Sequence, residues 1–203
     1  MAIIAILYVL PIAAVIHVYP GTPTVFKAFI DRGSYAVYTN SLYSHWLKMM
    51  DRYQYQDPVL LEDIGLPNTF GLSYDLIEAI NFRVNTIPYI HDDEQYGPPE
   101  YFATPREMLE NGQGDCEDYA ILKMHLLLAA GFPPSDMYLL GGLYHYGDGE
   151  VGGHAVLAII IDGEAWILDN MRHSIIPLSQ YQQFEPMAAI NWDGFKLLGA
   201  LRY

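Results

Sequence analysis

The 203-residue chain carries 24 acidic against 10 basic side chains, a formal charge of −14 and a pI of about 4.6, so it lacks the basic footprint that a nucleic-acid surface requires. Its 23.0 kDa suits one domain with a full core. The single cysteine excludes an internal disulfide and a zinc site of several thiolates, while leaving a thiol nucleophile open.

Residues Ala2 to Val18 are almost wholly apolar and uncharged, interrupted by Pro11 and carrying Tyr8 and His17. They read as a hydrophobic signal or membrane anchor over residues 1–20, with a buried strand or helix as the alternative. A signal or anchor places the domain in the periplasm or on a membrane through residues 2–18; a buried element places it in the cytoplasm. The first positive charge is Lys27, so flanking charge encodes no orientation. Pro20-Gly21-Thr22-Pro23 punctuates the chain, and residues 21–203 read as the working domain.

From about Ser41 to Tyr53, Leu42, Trp46, Met49 and Met50 recur at helical spacing. Pro58 to Phe70 reads as loop. Ser73 can cap a second helix bearing Leu76, Ile77, Ile80 and Val84 on one face, with Pro88 beyond its end and an acidic, turn-rich run from His91 to Pro99. Thr104-Pro105-Arg106-Glu107 has the residues of a capping box, predicting a short helix from Pro105 to about Glu110.

Gly112-Gln113-Gly114-Asp115-Cys116-Glu117-Asp118 then delivers the lone cysteine to the start of a helix that ends at Gly131. Unpaired N–H groups at a helix N-terminus favour thiolate over thiol, whereas a lone cysteine is more commonly a small core hydrophobe. Asp115 and Glu117 complement the helix dipole, yet anions beside the thiol oppose its ionisation unless a cation neutralises them.

Beyond Ser135 the pattern turns to β. Met137 to Tyr146 reads as a strand, and His154 to Ile161 and Glu164 to Asp169 flank Asp162-Gly163 as a hairpin with a type I′ turn. If Ile161 pairs with Glu164, Val156 lies opposite Asp169, and His154 falls diagonal to Asp169 on the same face, roughly 7 Å away at the backbone. Such a pair is either a solvated couple at a sheet rim or, with Cys116 upstream, the base and orienter of a thiol nucleophile. His45, His91, His125, His145 and His173 form no metal-type spacing and read as solvated or core residues.

Ala103 to Glu107, Gly114 to Ala120, His154-Ala155-Val156-Leu157 and Ile167-Leu168-Asp169-Asn170 resemble the bacterial transglutaminase-like cysteine proteinases. The likeness runs from about Asn81 to Gly199 and is most specific at Gly114 to Asp118. It implies an α+β, papain-like or transglutaminase-like core: N-terminal helices, with the nucleophile at a helix N-terminus, packed on an antiparallel sheet. It further implies Cys116 as nucleophile, His154 as base and Asp169 as third member. A calcium ion beside Cys116, held by Asp115 and Glu117, is part of the same resemblance, and the loop Asp92-Asp93-Glu94 offers more acids without singling one out. The resemblance also implies a protein or peptide substrate, such as a large cell-surface protein, and an inhibitory membrane receptor among the expected partners. A transglutaminase-type acyl transferase and a non-catalytic binding module of the same fold are the alternatives. Gly152-Gly153 stands where the family carries bulkier residues, which implies a mobile approach to His154.

Overall fold

The computed structural model describes residues 33–67, 72–192 and 194–197. The signal or anchor expected over residues 1–20 lies outside the described residues. Among those described, no helix is long and apolar enough to cross a membrane.

Helices come first. The first, α1 (Gly33–Tyr53), starts upstream of the expected Ser41 and buries Leu42, Trp46 and Met49, one per turn. Near its end Arg52 reaches the Phe102 carbonyl and the Glu107 carboxylate, and its guanidinium stacks over the Tyr101 ring at 4.5 Å. The expected loop after Pro58 contains a 3-10 turn at Leu61–Ile64 that buries Leu61. Helix α2 (Tyr74–Val84) begins where Ser73 Oγ accepts the Leu76 N–H at 3.2 Å, and it buries Leu76, Ile77, Ile80 and Val84. The acidic run forms a single turn, α3 (Asp92–Gln95). Helix α4 (Pro105–Asn111) shows both bonds of the capping box: the Glu107 N–H donates to Thr104 Oγ1 at 3.2 Å, and the Thr104 N–H to Glu107 Oε2 at 2.8 Å. Helix α5 (Cys116–Ala129) is buried continuously from Glu117 to Leu127, because α2 and α4 pack on one side and the sheet on the other.

The strands are β1 (Met137–His145), β2 (Val151–Ile161), β3 (Glu164–Leu168), β4 (Ile176–Pro177), β5 (Phe184–Asn191) and β6 (Gly194–Leu197), in the antiparallel spatial order β4-β3-β2-β1-β5-β6. Asp162 and Gly163 have φ of 52° and 80°, the pair of left-handed residues a type I′ turn needs, and Ile161 pairs with Glu164 as the turn dictates. Strand β2 begins at Val151, so Gly152 and Gly153 are ladder residues opposite Tyr144 and Leu143. The expected mobile approach to His154 is therefore a paired strand. A Cβ on Gly152 would sit 3.2 Å from the Tyr146 ring, which occupies the space a bulkier residue would fill.

Alternation along the strands splits the core in two. Leu139, Ala155, Leu157, Ile159, Leu168 and Ile190 face the helices. Leu140, Val156, Ala158, Ile167 and Ala189 face the other way, where Leu178, Tyr181 and Phe184 cover them. His154 has the parity of Val156 and so belongs to this second face.

Candidate active site

Cys116 is the first residue of α5, and its half-buried side chain sits against the backbone N–H of Ala155, the residue after His154. The packing of α5 on β2 thus brings the cysteine and the histidine segment together across 38 positions of sequence, as counting from Cys116 to His154 gives. On the sheet, His154 Nε2 lies 2.9 Å from Asp169 Oδ1, the contact the hairpin register predicts. Both residues are buried, His154 at 7% exposure and Asp169 at 0%. With Nε2 engaged by Asp169, Nδ1 is the ring nitrogen left for another partner. The rings of Tyr144 and Phe184 stand edge-on to the imidazole at 5.5 and 6.1 Å and keep it in an apolar sleeve.

Asp169 has more partners than its sequence position reveals. Burial alone would push its carboxyl up. The His154 hydrogen bond and charge, the Tyr181 hydroxyl and the Met171 N–H at 3.1 Å outweigh that and hold it below the usual carboxylate range. Helix α2 fixes the backbone there. Asn85 Nδ2 donates to the Asp169 and Arg172 carbonyls, both at 2.7 Å, and Asn81 Nδ2 to those of Arg172 and His173, both at 3.0 Å.

Acids surround the thiol. The Cys116 S–H donates to Glu117 Oε2 at 3.1 Å. Burial first, then the Glu117 and Asp115 charges, push this thiol well above its usual range, against the pull of the Ala155 N–H. Burial likewise raises Asp115 to about 7, helped by the charges of Asp92 and Glu100 and opposed by a Glu117 hydrogen bond. Glu117 too is raised well above its usual range, by burial and then by Asp115 and Asp118.

The acidic cluster is larger than the pair flanking Cys116. Ile90 N–H donates to the Gly114 carbonyl at 3.0 Å, and a parallel bridge joins Tyr89 to Gly114. This zipper draws Asp92 in, so that oxygens of Asp92, Asp115 and Asp118 lie within 4.8 Å of one another, beside the group formed by Asp115, Cys116 and Glu117. Asp93 and Glu94, which the sequence offers equally, are exposed. Asp118 is already committed, accepting the Ala103 N–H at 2.7 Å and the Asp115 N–H at 3.4 Å. A Cβ on Gly114 would sit 2.8 Å from an Asp118 oxygen, which explains the glycine there. By contrast Asp92 Oδ1 and Asp115 Oδ1 are buried with no hydrogen-bond partner among the described residues. Asp92 and Asp115 therefore offer hard carboxylate oxygens that only a cation or protons would satisfy, and Glu117, bonded to Cys116, lies beside them.

Lys123 is a second buried charge that the sequence does not single out. Its side chain is fully buried on α5, Nζ finds no hydrogen-bond partner among the described residues, and the Tyr119 ring lies 6.0 Å away. Burial lowers its pKa to about 7, with Asp169 opposing. Because the unfolded lysine keeps its proton to about 10.5, native stability rises with pH between those values. Lys123→Met is expected to stabilise by about 1–3 kcal/mol at pH 7, with the gain shrinking toward pH 10. Melting temperatures at the two pH values check this, and a pH-independent difference would contradict a buried cation. His125, also buried, packs between Tyr53 and Trp192 at 4.2 and 5.6 Å as a core residue.

Three comparisons bear on this arrangement. The family model of the bacterial transglutaminase-like cysteine proteinases matches residues 69–185, more than half of the chain. Among solved structures, calcium-bound LapG of Legionella pneumophila superposes with a TM-score of 0.53 at 28% identity, over 60% of this chain and 66% of that one. EGTA-treated LapG gives 0.53 at 26% identity, over 63% and 68%. Curated relatives include a UPF0252 protein of Pyrococcus furiosus, 36% identical over 87 residues, which are 42% of this chain and 24% of that protein. Another, from Pyrococcus horikoshii, is 34% identical over 77 residues, or 38% and 22%. The chain thus spans about a quarter of the length of the curated relatives it matches. With the α+β arrangement of helices on an antiparallel sheet in place, the chain belongs to the bacterial transglutaminase-like cysteine proteinases.

Proposed function

We propose that this protein is a cysteine endopeptidase in which Cys116 is the nucleophile, His154 the base and Asp169 the orienter. What carries this is the 2.9 Å His154–Asp169 contact beside a thiol at the first position of a helix. Nδ1 of His154 takes the thiol proton, and the sulfur attacks the scissile carbonyl while first-turn N–H groups of α5 face the developing oxyanion. His154 then hands its proton to the departing amine, leaving a thioester. Water, deprotonated by the same nitrogen, releases the acid product and restores the thiol. Asp169 holds the imidazole tautomer and offsets its positive charge.

Calcium belongs to the same proposal. Asp115 and Glu117, with Asp92, fit it, because their oxygens are hard, anionic and partly orphaned in the interior. A bound divalent ion supplies positive charge that offsets the carboxylates raising the Cys116 pKa. A calcium-bound form of the similar LapG supports the assignment.

The substrate proposed is a protein or peptide segment outside the cytoplasm, such as a cell-surface protein. The apolar run Ala2 to Val18 supports export or membrane attachment, and an export reporter fused after Pro23 that stayed inactive would remove that part. Incubation with a diverse peptide library and a labelled amine tests the reaction type. New peptide termini without amine incorporation are expected. Amine transfer without cleavage would make the protein an acyl transferase, and an unchanged library would leave it a binding module.

A further inference from the structure

Asp169 Oδ1 is shared by His154 and the Met171 N–H, and its other oxygen, Oδ2, accepts the Tyr181 hydroxyl. Asp169 and Tyr181 are both buried to within 1% of full burial, so no water substitutes for that hydroxyl. Tyr181 follows the 3-10 turn Leu178–Gln180 on the sheet face away from the helices, and its ring is clamped. It stacks on Phe184 at 5.9 Å, meets Tyr144 at 6.1 Å, and carries the Arg172 guanidinium 5.6 Å from its centroid. The two rings that contact Tyr181, Tyr144 and Phe184, are the same two that stand edge-on to His154.

Resting on the triad proposed above, we infer that Tyr181 is a fourth, positioning residue, whose hydroxyl holds Asp169 ionised and aimed at His154 Nε2. A hydrogen bond to a buried carboxylate favours the charged form over the neutral acid. If that bond were lost, Oδ2 would be left unpaired in an apolar setting, and the carboxyl would have reason to take up a proton or turn away from the imidazole. Either change costs the imidazolium its counter-charge. Tyr181 has no place against the thiol or the bond to be cut in this arrangement, and its hydroxyl acts through Asp169. The Arg172 guanidinium over the ring adds positive charge to the phenol's surroundings and favours donation of its proton toward the carboxylate.

The sole cysteine makes a test possible without the natural substrate, because iodoacetamide consumes only the thiolate of Cys116. Alkylation rates at pH 7 in calcium, alongside peptide-library cleavage, are compared for the parent, Tyr181→Phe, Asp169→Ala and the double variant. Tyr181→Phe is expected to slow alkylation and kcat about tenfold with KM unchanged. In the Asp169→Ala background it is expected to cost nothing more, since the group it acts through is gone. Tyr181→His, which keeps a donor on a ring, is expected to recover part of the rate and serves also if the phenylalanine variant folds poorly. Parent-like rates in Tyr181→Phe, or an equal loss with and without Asp169, would overturn the proposal. Cleavage that survives Cys116→Ala is a different failure, and it would sink the triad itself.

Discussion

Replacing Cys116 with alanine is expected to lower peptide cleavage by at least about ten-thousand-fold, to the level left by substrate binding and backbone oxyanion contacts alone. His154→Ala is expected to fall nearly as far, because burial and two neighbouring carboxylates keep the thiol protonated and the variant lacks the proposed base that also returns a proton to the leaving amine. Asp169→Asn is expected to cost somewhat less, about a thousandfold to ten-thousandfold, since the imidazole stays in place but loses its counter-charge and the acceptor that fixes its tautomer. The three losses should not multiply. Once the nucleophile is gone, base and orienter have nothing to act on, so the triple variant should be no slower than Cys116→Ala. The melting temperature of Cys116→Ala is expected to stay within a few degrees of the parent's, because only a half-buried sulfur is removed. Parent-like cleavage by the alanine variant would eliminate thiol catalysis.

How much of this site was legible depended on whether the positioning force was local. Ser73 and Thr104 announced their helices, because a capping hydrogen bond spans three residues. The His154–Asp169 pair was legible for the same reason, since a two-residue turn fixes register and register is arithmetic. Long-range pairing was not. Strand β5 lies beside β1 rather than β4, and nothing in Phe184 to Asn191 names that partner. Tyr181 owes its place at Asp169 to the same global arrangement, so it read as one of 17 tyrosines. Asp92 could not be separated from Asp93 and Glu94 until the Ile90–Gly114 zipper turned it inward. Lys123 was hidden by the same global packing. Helix α5 is enclosed on all sides, so a residue type that normally marks a solvated face is buried with no water to receive it.

Calcium removal is expected to lower the melting temperature by about 5–10 °C at ligand concentrations near one hundred times Kd, a stabilisation of about 2.7 kcal/mol. The dependence on pH has a definite sign. Without calcium, burial and the charges of Asp92 and Glu100 lift Asp115 from 3.8 to about 7, and burial with the charges of Asp115 and Asp118 raises Glu117 well above its ordinary value. The folded calcium-free protein therefore holds protons that the unfolded chain has released, and their stabilisation, full below about pH 4, is lost as pH rises through 7. Calcium needs the carboxylates ionised, so it binds more weakly as they take up protons below pH 7. Both effects point the same way. The difference in melting temperature between calcium-loaded and EGTA-treated protein is expected to be small at pH 5 and large at pH 8, and taking a difference cancels Lys123 and His125, which titrate in both forms. Asp115→Asn is expected to weaken calcium binding at least tenfold and to flatten that difference, because it removes an anionic ligand and leaves an amide that cannot ionise. Asp93→Asn, on an exposed neighbour, is expected to change neither. An EGTA response independent of pH, or one that survives Asp115→Asn in full, would place the cation somewhere other than beside Cys116.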